Sequence, residues 1–163
     1  MKNPDIIQQK IYTLQQILKE AGRWKFMKKQ IAFTNGCFDI LHEGHIFSLS
    51  QAAKEGDFLI VGVNADASTK RLKGPSRPIN NEHSRALLIA SLVMVDAVVI
   101  FEEDTPLEII KAIMPDTIVK GGDYTIEQIV GAKEVIANGG RVIINPIVQG
   151  FSTTSIIEKI LKL

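Results

Sequence analysis

Five short runs of apolar and β-branched residues alternate with segments of helical periodicity along most of the chain. The runs are IAFTN (31–35), FLIVGV (58–63), AVVIF (97–101), DTIVK (116–120) and RVIIN (141–145). Strands without apolar and polar alternation are buried on both faces, which is typical of parallel strands joined by helices. We therefore expect an α/β fold, with a five-stranded parallel sheet and helices on both faces.

Capping residues and helical spacing mark the predicted helices between these strands. HEGHIFSLSQAAKEG (42–56) and NEHSRALLIASLV (81–93) have helical periodicity, and a last helix begins near STTS (152–155). TPLE (105–108) opens another helix, with Thr105 as its cap and Glu108 completing a capping box. The segment from Asn64 to Asn81 is interpreted as a long basic loop, and long ordered loops are often functional.

The N-terminal segment carries Ile7, Ile11, Leu14 and Leu18 at helical spacing. This pattern predicts one amphipathic helix outside the alternation of strands and helices. We divide the chain into residues 1–28, which hold this helix and its connection, and a main domain over residues 29–163. The apolar face of the helix either packs onto the main domain or forms an oligomer contact. Both alternatives stay open.

Composition limits the classes of function. With 163 residues and 45% hydrophobic content, the chain can bury the core of one ordinary domain. Nineteen Lys and Arg against 18 Asp and Glu leave a formal charge of +1, which argues against a general nucleic-acid binder. With so little net charge, a site for an anion must be formed by a few neighbouring residues and not by the overall charge of the chain. A single cysteine, Cys37, and the lack of an apolar signal segment or long apolar span favour the reducing cytoplasm and no membrane role.

The stretch FTNGCFDILHEGH (33–45) is the first candidate for chemistry. In an open parallel sheet, ligands bind beyond the carboxyl ends of strands, where the strand order reverses. Gly36 allows a tight turn, Gly44 leaves the next helix open at its first turn, and His42 and His45 share one helix face. The N–H groups and positive dipole end of that helix attract phosphate. We expect a phosphate cradle built by this turn and both imidazoles.

Simpler interpretations of the same residues remain. Each histidine can be an ordinary surface or core residue. Cys37, His42 and His45 include plausible zinc ligands, although the H-E-x-x-H spacing and an evident fourth ligand are missing. Asp39 either ties down the loop by accepting backbone hydrogen bonds or contacts the ligand directly.

GCFDILHEGH (36–45) resembles the signature of the cytidylyltransferase-like nucleotidyltransferases, which share H-x-G-H with class I aminoacyl-tRNA synthetases. The chain is too short for a synthetase. Other segments resemble the D-glycero-β-D-manno-heptose 1-phosphate adenylyltransferases: NADASTKRLKG (64–74), SRPIN (76–80), EEDTP (102–106), VKGGDY (119–124) and FSTTSII (151–157). This likeness, from about residue 30 onward, implies a Rossmann-like nucleotidyltransferase fold. In that family an upstream kinase is often fused to the enzyme, whereas this chain begins with a short helix, so we expect the stand-alone form.

Carried over residue by residue, the resemblance implies a catalytic set in which His42 and His45 contact the nucleotide phosphates and Lys73 faces the α-phosphate. It implies a nucleotide-binding set of Asn35, Gly36, Cys37, Phe38, Gly44, Lys120, Gly121, Asp123, Ser152, Thr153 and Thr154. Cys37 and Phe38 would act through their backbone. The turn at 120–123 would hold base and ribose, and residues 152–154 would hold the β- and γ-phosphates. The substrate-binding set is Asn64, Asp66, Arg71, Arg77 and Arg85, of which Arg85 resembles a phosphate-binding family position.

Structural alternatives accompany these assignments. STTS can be simple helix capping, with Ser155 and Glu158 as the capping box. Arg71, Lys73 and Arg77 can be the solvated side chains of a basic loop. The glycines at 121 and 122 can serve a turn alone.

The implied reaction transfers AMP from ATP to heptose 1-phosphate, which yields pyrophosphate and ADP-heptose for the lipopolysaccharide core. Mg²⁺ would be bound mainly by the nucleotide phosphates and water, so we expect no all-protein metal site. The partners would be these small molecules, and a homo-oligomer is an open option.

Two departures argue against a CTP-dependent glycerol-phosphate enzyme. The glycerol-3-phosphate cytidylyltransferases have R-Y-V-D where this chain has residues 93–96, VMVD, and Ile147 replaces the arginine of their P-R-T-E-G-I-S. The alternatives are a cytidylyltransferase acting on another small phosphate, such as glycerol 3-phosphate, and a non-catalytic nucleotide-binding module on the same fold.

Overall fold

The structure is a computed structural model that describes residues 3–146 and 150–163. Ile147, which replaces an arginine of the glycerol-3-phosphate enzymes, lies outside the described residues. The strands of the described chain are β1 (Ile11–Tyr12), β2 (Ile31–Gly36), β3 (Phe58–Asn64), β4 (Ala97–Phe101), β5 (Thr117–Gly121) and β6 (Arg141–Asn145). The helices are α1 (Ile6–Gln9), α2 (Leu14–Phe26), α3 (Glu43–Ala53), α4 (Asp66–Lys73), α5 (Glu82–Ala90), α6 (Leu107–Ile113), α7 (Ala132–Ala137) and α8 (Thr153–Ile160).

The described strands form one parallel sheet in the order β1-β4-β3-β2-β5-β6. The α/β class and all five predicted strands are confirmed, with boundaries that differ from the prediction by at most one residue. The sheet has six strands rather than five because β1 pairs with β4. Two residues are too few to produce a recognisable strand pattern in a sequence.

The strand order reverses at β2. From this strand the chain moves through β3 to β4 on one side, and later returns to place β5 on the other side of β2. The connections that leave β2 and β5 therefore diverge, and a crevice opens at the carboxyl ends of these two strands. This is the switch point at which ligands bind to such sheets, and the FTNGCFDILHEGH stretch lies there.

Both faces of the sheet are covered. Phe33 and Ile60 pack with α2, α6 and α7 on one face, whereas Ala32 and Val61 pack with α3 and α5 on the other. Neighbouring residues of one strand thus enter opposite cores, which explains the uninterrupted apolar runs. Within the described residues, no helix combines the length and the apolar character that a membrane crossing requires.

The predicted single N-terminal helix is wrong. Ile7 belongs to α1 and Ile11 to β1, while a new helix, α2, begins after Thr13. The Thr13 hydroxyl accepts a hydrogen bond from the Gln16 N–H, and the Gln16 side chain accepts one from the Thr13 N–H, so a capping box starts α2. Ile17 of α2 is completely buried in the main core. The N-terminal segment therefore packs onto the sheet.

Two further local expectations are wrong. The segment from Asn64 to Asn81 contains the helix α4, whose polar sequence DASTKRLK lacks an apolar stripe of helical period. Thr105 does not cap α6, since that helix begins at Leu107 after Pro106 and its start has no side-chain cap bond. The Thr105 side chain is exposed instead.

Candidate functional site

A cavity of about 690 Å³ opens at the carboxyl ends of the central strands. Its volume is in the range of small-molecule sites. The cavity brings together most of the predicted site residues, although they come from distant parts of the chain: Asn35, Gly36, Cys37, Phe38, His42, Gly44, His45, Asn64, Lys73, Arg77, Lys120, Gly121, Ser152, Thr153 and Thr154. It does not bring Asp66, Arg71, Arg85 or Asp123 to its wall.

His42 and His45 form a stacked pair at the start of α3. His42 is the N-cap residue, and its ring centroid lies 3.8 Å from that of His45, with 20° between the ring planes. A Cβ on Gly44 would lie 3.1 Å from the His42 ring, so the missing side chain makes room for this imidazole. Within the described residues, the Nδ1 atoms of both histidines are buried without a hydrogen-bond partner. Such groups are costly unless a ligand or water satisfies them.

Burial keeps both imidazoles uncharged near neutral pH. It lowers the pKa of His42, and it lowers the pKa of His45 to about 4, with the charge of His42 as a smaller cause. A neutral imidazole has one N–H donor. The pair can therefore donate hydrogen bonds to a phosphate from both rings without placing two cations in contact.

Gly36 was expected to allow a tight turn, but its own φ is not positive. The positive φ of this segment belongs to Phe38, at 49°, and a Cβ on Gly36 would lie 3.0 Å from the Phe38 ring. The glycine therefore serves the close approach of that ring to the end of β2. The Phe38 ring in turn contacts His45, with 5.2 Å between ring centroids and an edge-on geometry.

Lys120 ties β5 to β2 across the switch point. Its ammonium group donates to the side-chain oxygen of Asn35 at 3.0 Å and to the Asn35 carbonyl at 3.3 Å. Desolvation by burial lowers the pKa of Lys120; Cys37 acts in the opposite direction, and Lys73 lowers it further. An ammonium group has three donors, so one remains for a ligand in the cavity.

The start of α8 contributes hydroxyls and free N–H groups. The Ser152 hydroxyl accepts a hydrogen bond from the Ser155 N–H at 3.0 Å, so Ser152 is the cap, and the Ser155–Glu158 box is not formed. The Thr153 hydroxyl donates to the Ile40 carbonyl at 3.4 Å, which links α8 to the turn before α3. Ser152, Thr153 and Thr154 all line the cavity.

Asp39 ties down the loop, as one of its two interpretations held. Its buried carboxylate accepts hydrogen bonds from Arg77 Nε at 2.5 Å and from the N–H groups of Ile79 and Asn80 at 2.7 and 2.9 Å. The Asn80 side chain donates back to the Asp39 carbonyl at 2.7 Å. The loop that carries Arg77 is thereby fastened to the turn between β2 and α3, residues 37–42, here called the phosphate turn after the cradle predicted for it.

Arg85 departs from the expected contact with substrate. Its guanidinium is completely buried and donates to the Cys37 carbonyl at 2.5 Å, the Asn80 carbonyl at 2.9 Å and the Asp66 carboxylate at 2.7 Å. Three of its nitrogens therefore have protein partners. In this arrangement Arg85 and Asp66 position the loops around the cavity and do not line it.

Arg71 and Asp123 also lie outside the cavity wall. Arg71 donates to the Asp104 carboxylate at 2.6 Å and to the Glu102 carbonyl at 2.7 Å. Asp123 is exposed. The neighbouring ring of Tyr124 packs against Gly122. Among the described residues, no group of three or more His, Cys, Asp and Glu side chains is arranged to hold a metal ion.

Sequence reasoning missed several residues of the cavity wall. Thr105 had a ready explanation as a helix cap, and the apolar members have the composition of ordinary core or loop residues. Only their position in the folded structure identifies them as residues of the cavity wall. The missed residues are Ser48, Leu72, Asp104, Thr105, Pro106, Ile118, Tyr124, Gln128, Ile129, Val130, Pro146 and Phe151.

Comparison with known sequences identifies a family. The profile of the family described as cytidylyltransferase-like matches residues 33–159. The bifunctional protein HldE of Koribacter versatilis (strain Ellin345) is 53% identical over 154 residues, which are 94% of this chain and 32% of that protein. The bifunctional protein HldE of Nitrobacter winogradskyi is 57% identical over 136 residues, which are 83% of this chain and 28% of that protein. The chain spans about a third of the length of these relatives.

Comparison with solved structures agrees with this assignment. The lipopolysaccharide core biosynthesis protein from Thermoplasma volcanium GSS1 has a TM-score of 0.59 and 33% identity, over 74% of this chain and 97% of that one. A pantoate-beta-alanine ligase from Francisella tularensis, complexed with beta-gamma ATP and beta-alanine, has a TM-score of 0.61 over 94% of this chain and 78% of that one. At 15% identity, the ligase shows the fold alone. The match over residues 33–159 shows that the chain belongs to the cytidylyltransferase-like family.

Proposed function

We propose that the chain transfers AMP from ATP to D-glycero-β-D-manno-heptose 1-phosphate, giving ADP-heptose and pyrophosphate for lipopolysaccharide core biosynthesis. The observation that carries the proposal is the convergence of His42, His45, Lys73 and the start of α8 on one cavity at the switch point. The heptose acceptor is supported by the motif resemblance, by relatives named HldE and by the Thermoplasma volcanium protein, whose name refers to the lipopolysaccharide core.

The proposed reaction requires little general acid–base catalysis. A phosphate monoester has a second pKa of about 6, so the acceptor is largely a dianion at neutral pH and is already nucleophilic. One of its oxygens forms a bond to the α-phosphorus of ATP, and the bond from that phosphorus to the bridging oxygen breaks. Pyrophosphate leaves with the electron pair. Catalysis then depends on in-line positioning and on donors for the charge on the equatorial oxygens.

Each part of the cavity has a role in this scheme. The neutral His42 and His45 rings donate hydrogen bonds to the phosphate oxygens, and Lys73 supplies a positive charge at the α-phosphate. The free N–H groups and hydroxyls at residues 152–154 hold the departing pyrophosphate, since helix starts favour anions. Cys37 and Phe38 contribute backbone groups beside the nucleotide.

Mg²⁺ enters this scheme as part of the ATP substrate. The Asp39 carboxylate beside the phosphate turn is already engaged by Arg77 and two backbone N–H groups. The ion would therefore be coordinated by the triphosphate and water, as is usual for Mg²⁺ with nucleotides. The lone Cys37 suits the reducing cytoplasm, in which both small-molecule substrates would be met.

A matrix of nucleoside triphosphates against sugar and polyol phosphates, read by pyrophosphate release with Mg²⁺, tests the proposal. We expect the fastest turnover with ATP and β-heptose 1-phosphate. Faster turnover of CTP with glycerol 3-phosphate would contradict it and favour a cytidylyltransferase. Nucleotide binding without pyrophosphate release in any pair would indicate a non-catalytic module.

A further inference from the structure

The cavity has two differently lined ends on opposite sides of β2. The end beside β5 is mainly apolar, from Ile118, Tyr124, Ile129 and Val130, and its polar groups are the amide of Gln128 and the ammonium group of Lys120. The end beside β3 and β4 includes the apolar Leu72 and Pro106 but carries mostly charged, amide and hydroxyl groups, from Asn64, Lys73, Arg77, Asp104 and Thr105. A nucleobase suits a flat apolar surface, whereas a polyhydroxylated phosphate requires donors, acceptors and cations. The second end therefore fits the acceptor.

Asp104 at the polar end is paired with Arg71. The Arg71 Nε donates to its Oδ1 at 2.6 Å, and Arg71 Nη2 donates to the Glu102 carbonyl of the same loop. A second brace runs from Ser68, whose hydroxyl donates to the Glu103 carbonyl at 2.9 Å. The loop after β4 is thus fastened to α4 at two points. Lys73 also lies on α4, so these contacts fix the position of Asp104 relative to Lys73.

The charge of Asp104 is compatible with an anionic acceptor. Its ion pair with Arg71 leaves no net charge, so the repulsion of a phosphate is weak. The Oδ2 atom has no protein partner among the described residues, and the side chain is half exposed. One carboxylate oxygen is therefore fixed by Arg71 while the other can accept hydrogen bonds from sugar hydroxyls.

Thr105 follows Asp104 in the chain and lines the same end of the cavity. The residue would have used that hydroxyl as the cap of α6, but the helix begins at Leu107 and the cap bond is absent. Thr105 instead lines the cavity. A fixed acceptor next to a group that both donates and accepts complements adjacent hydroxyls of a sugar.

We propose that Asp104 and Thr105 form the subsite that binds the hydroxyl groups of the acceptor, with Arg71 as a positioning residue that acts through Asp104. This inference rests on the proposed function. It also explains how Arg71, which was expected in the substrate-binding set, can affect substrate binding from outside the cavity wall.

The test compares the KM for heptose 1-phosphate with the KM for ATP in D104N and T105V. We expect the acceptor KM to rise about tenfold or more in D104N, and by a smaller factor in T105V, with the ATP KM within about twofold of wild type. E103Q is the matched control, because the neighbouring Glu103 loses the same charge and does not line this cavity. Its two KM values should equal those of wild type.

A double-mutant cycle tests the role of Arg71. R71Q should raise the acceptor KM, and its combination with D104N should add little, because both changes remove one interaction. Full additivity, an unchanged acceptor KM in D104N and T105V, or a rise mainly in the ATP KM would overturn the inference. If wild type does not turn over heptose 1-phosphate at all, the proposed function itself fails and the subsite falls with it.

Discussion

At the residue scale, the stacked histidines carry a free-energy cost that a ligand or a water molecule can offset. Both Nδ1 atoms are buried and have no partner among the described residues. A buried polar atom without a hydrogen bond costs about 1–3 kcal/mol. Removing an imidazole from this pair should therefore affect the reaction much more than the stability of the fold.

We expect H45A to lower kcat by about 100-fold or more, since a donor used mainly in the transition state contributes a few kcal/mol to the barrier. Pyrophosphate release measures turnover, and thermal unfolding should show a melting temperature close to that of wild type. H83A is the matched control, because His83 is exposed on α5 away from the cavity. If H45A turned over as fast as H83A, His45 would be an ordinary core residue with no part in the reaction.

The lowered pKa of His45 predicts a pH dependence of stability. The pKa of His45 is about 4 in the folded chain and 6.5 for an unperturbed histidine, so the unfolded chain binds more protons between these values. The free energy of unfolding should therefore fall as the pH drops from 7 to 4. The His45 contribution is at most about 3 kcal/mol, and solvent screening reduces it.

The measurement is urea unfolding of wild type and H45Q at several pH values in this window. H45Q has no titrating group at this position, so it should lose less stability than wild type on acidification. The carboxylates that titrate in the same window are shared by both proteins and cancel in the comparison. Equal losses would show that burial does not disfavour the charged form of His45.

At the element scale, buried side chains fasten three separate segments to one another. Arg85 on α5 binds the carbonyls of Cys37 and Asn80 and the carboxylate of Asp66. Asp39 joins the phosphate turn to the loop at Arg77. The phosphate turn, that loop and the start of α4 are therefore held by polar contacts around the cavity.

We expect R85M to lower the free energy of unfolding by about 3 kcal/mol, because it leaves two carbonyls and one carboxylate without their donor. R71M should change it by less than about 1 kcal/mol, since the Arg71–Asp104 pair is half exposed. Urea unfolding of both variants gives the comparison. R85K should recover part of the loss, as one ammonium group can reach some of the three acceptors. Similar losses in R85M and R71M would remove the distinction between the two arginines.

At the scale of the whole molecule, the two ends of one cavity lie on opposite sides of β2, which suits simultaneous binding of the two proposed substrates. This arrangement favours a single in-line displacement. The rival route is a covalent nucleotidyl intermediate on Cys37, a residue that also lines the cavity. The acceptor is already anionic, so a covalent step would remove no difficulty.

We expect sequential kinetics, substantial activity in C37S, and inversion of configuration with ATP made chiral at the α-phosphorus. One displacement inverts the configuration, whereas two successive displacements through cysteine retain it. Initial rates over a grid of both substrates should give intersecting double-reciprocal plots. Parallel plots, retention of configuration or a trapped adenylylated Cys37 would overturn the direct transfer.

The sequence by itself determined the features that depend on local patterns. The apolar runs at residues 31–35 and 58–63 predicted their strands to within one residue, because strands buried on both faces need apolar residues at every position. The spacing of His42 and His45 predicted that their rings lie together beside a strand end, and they stack there with His42 as the N-cap of α3. Short or polar elements, such as β1 and α4, have no comparable local signal and were missed.

Only the tertiary structure decided which polar side chains face the cavity and which hold its walls in place. Arg77 and Asp39 are 38 residues apart in sequence, and Arg85 and Cys37 are 48 apart, yet they are joined by hydrogen bonds. Arg71, Arg77 and Arg85 have the same side chain, and only the acceptors supplied by distant segments direct each guanidinium. A buried cation must find such partners, and their positions exist only after the sheet and its helices have assembled.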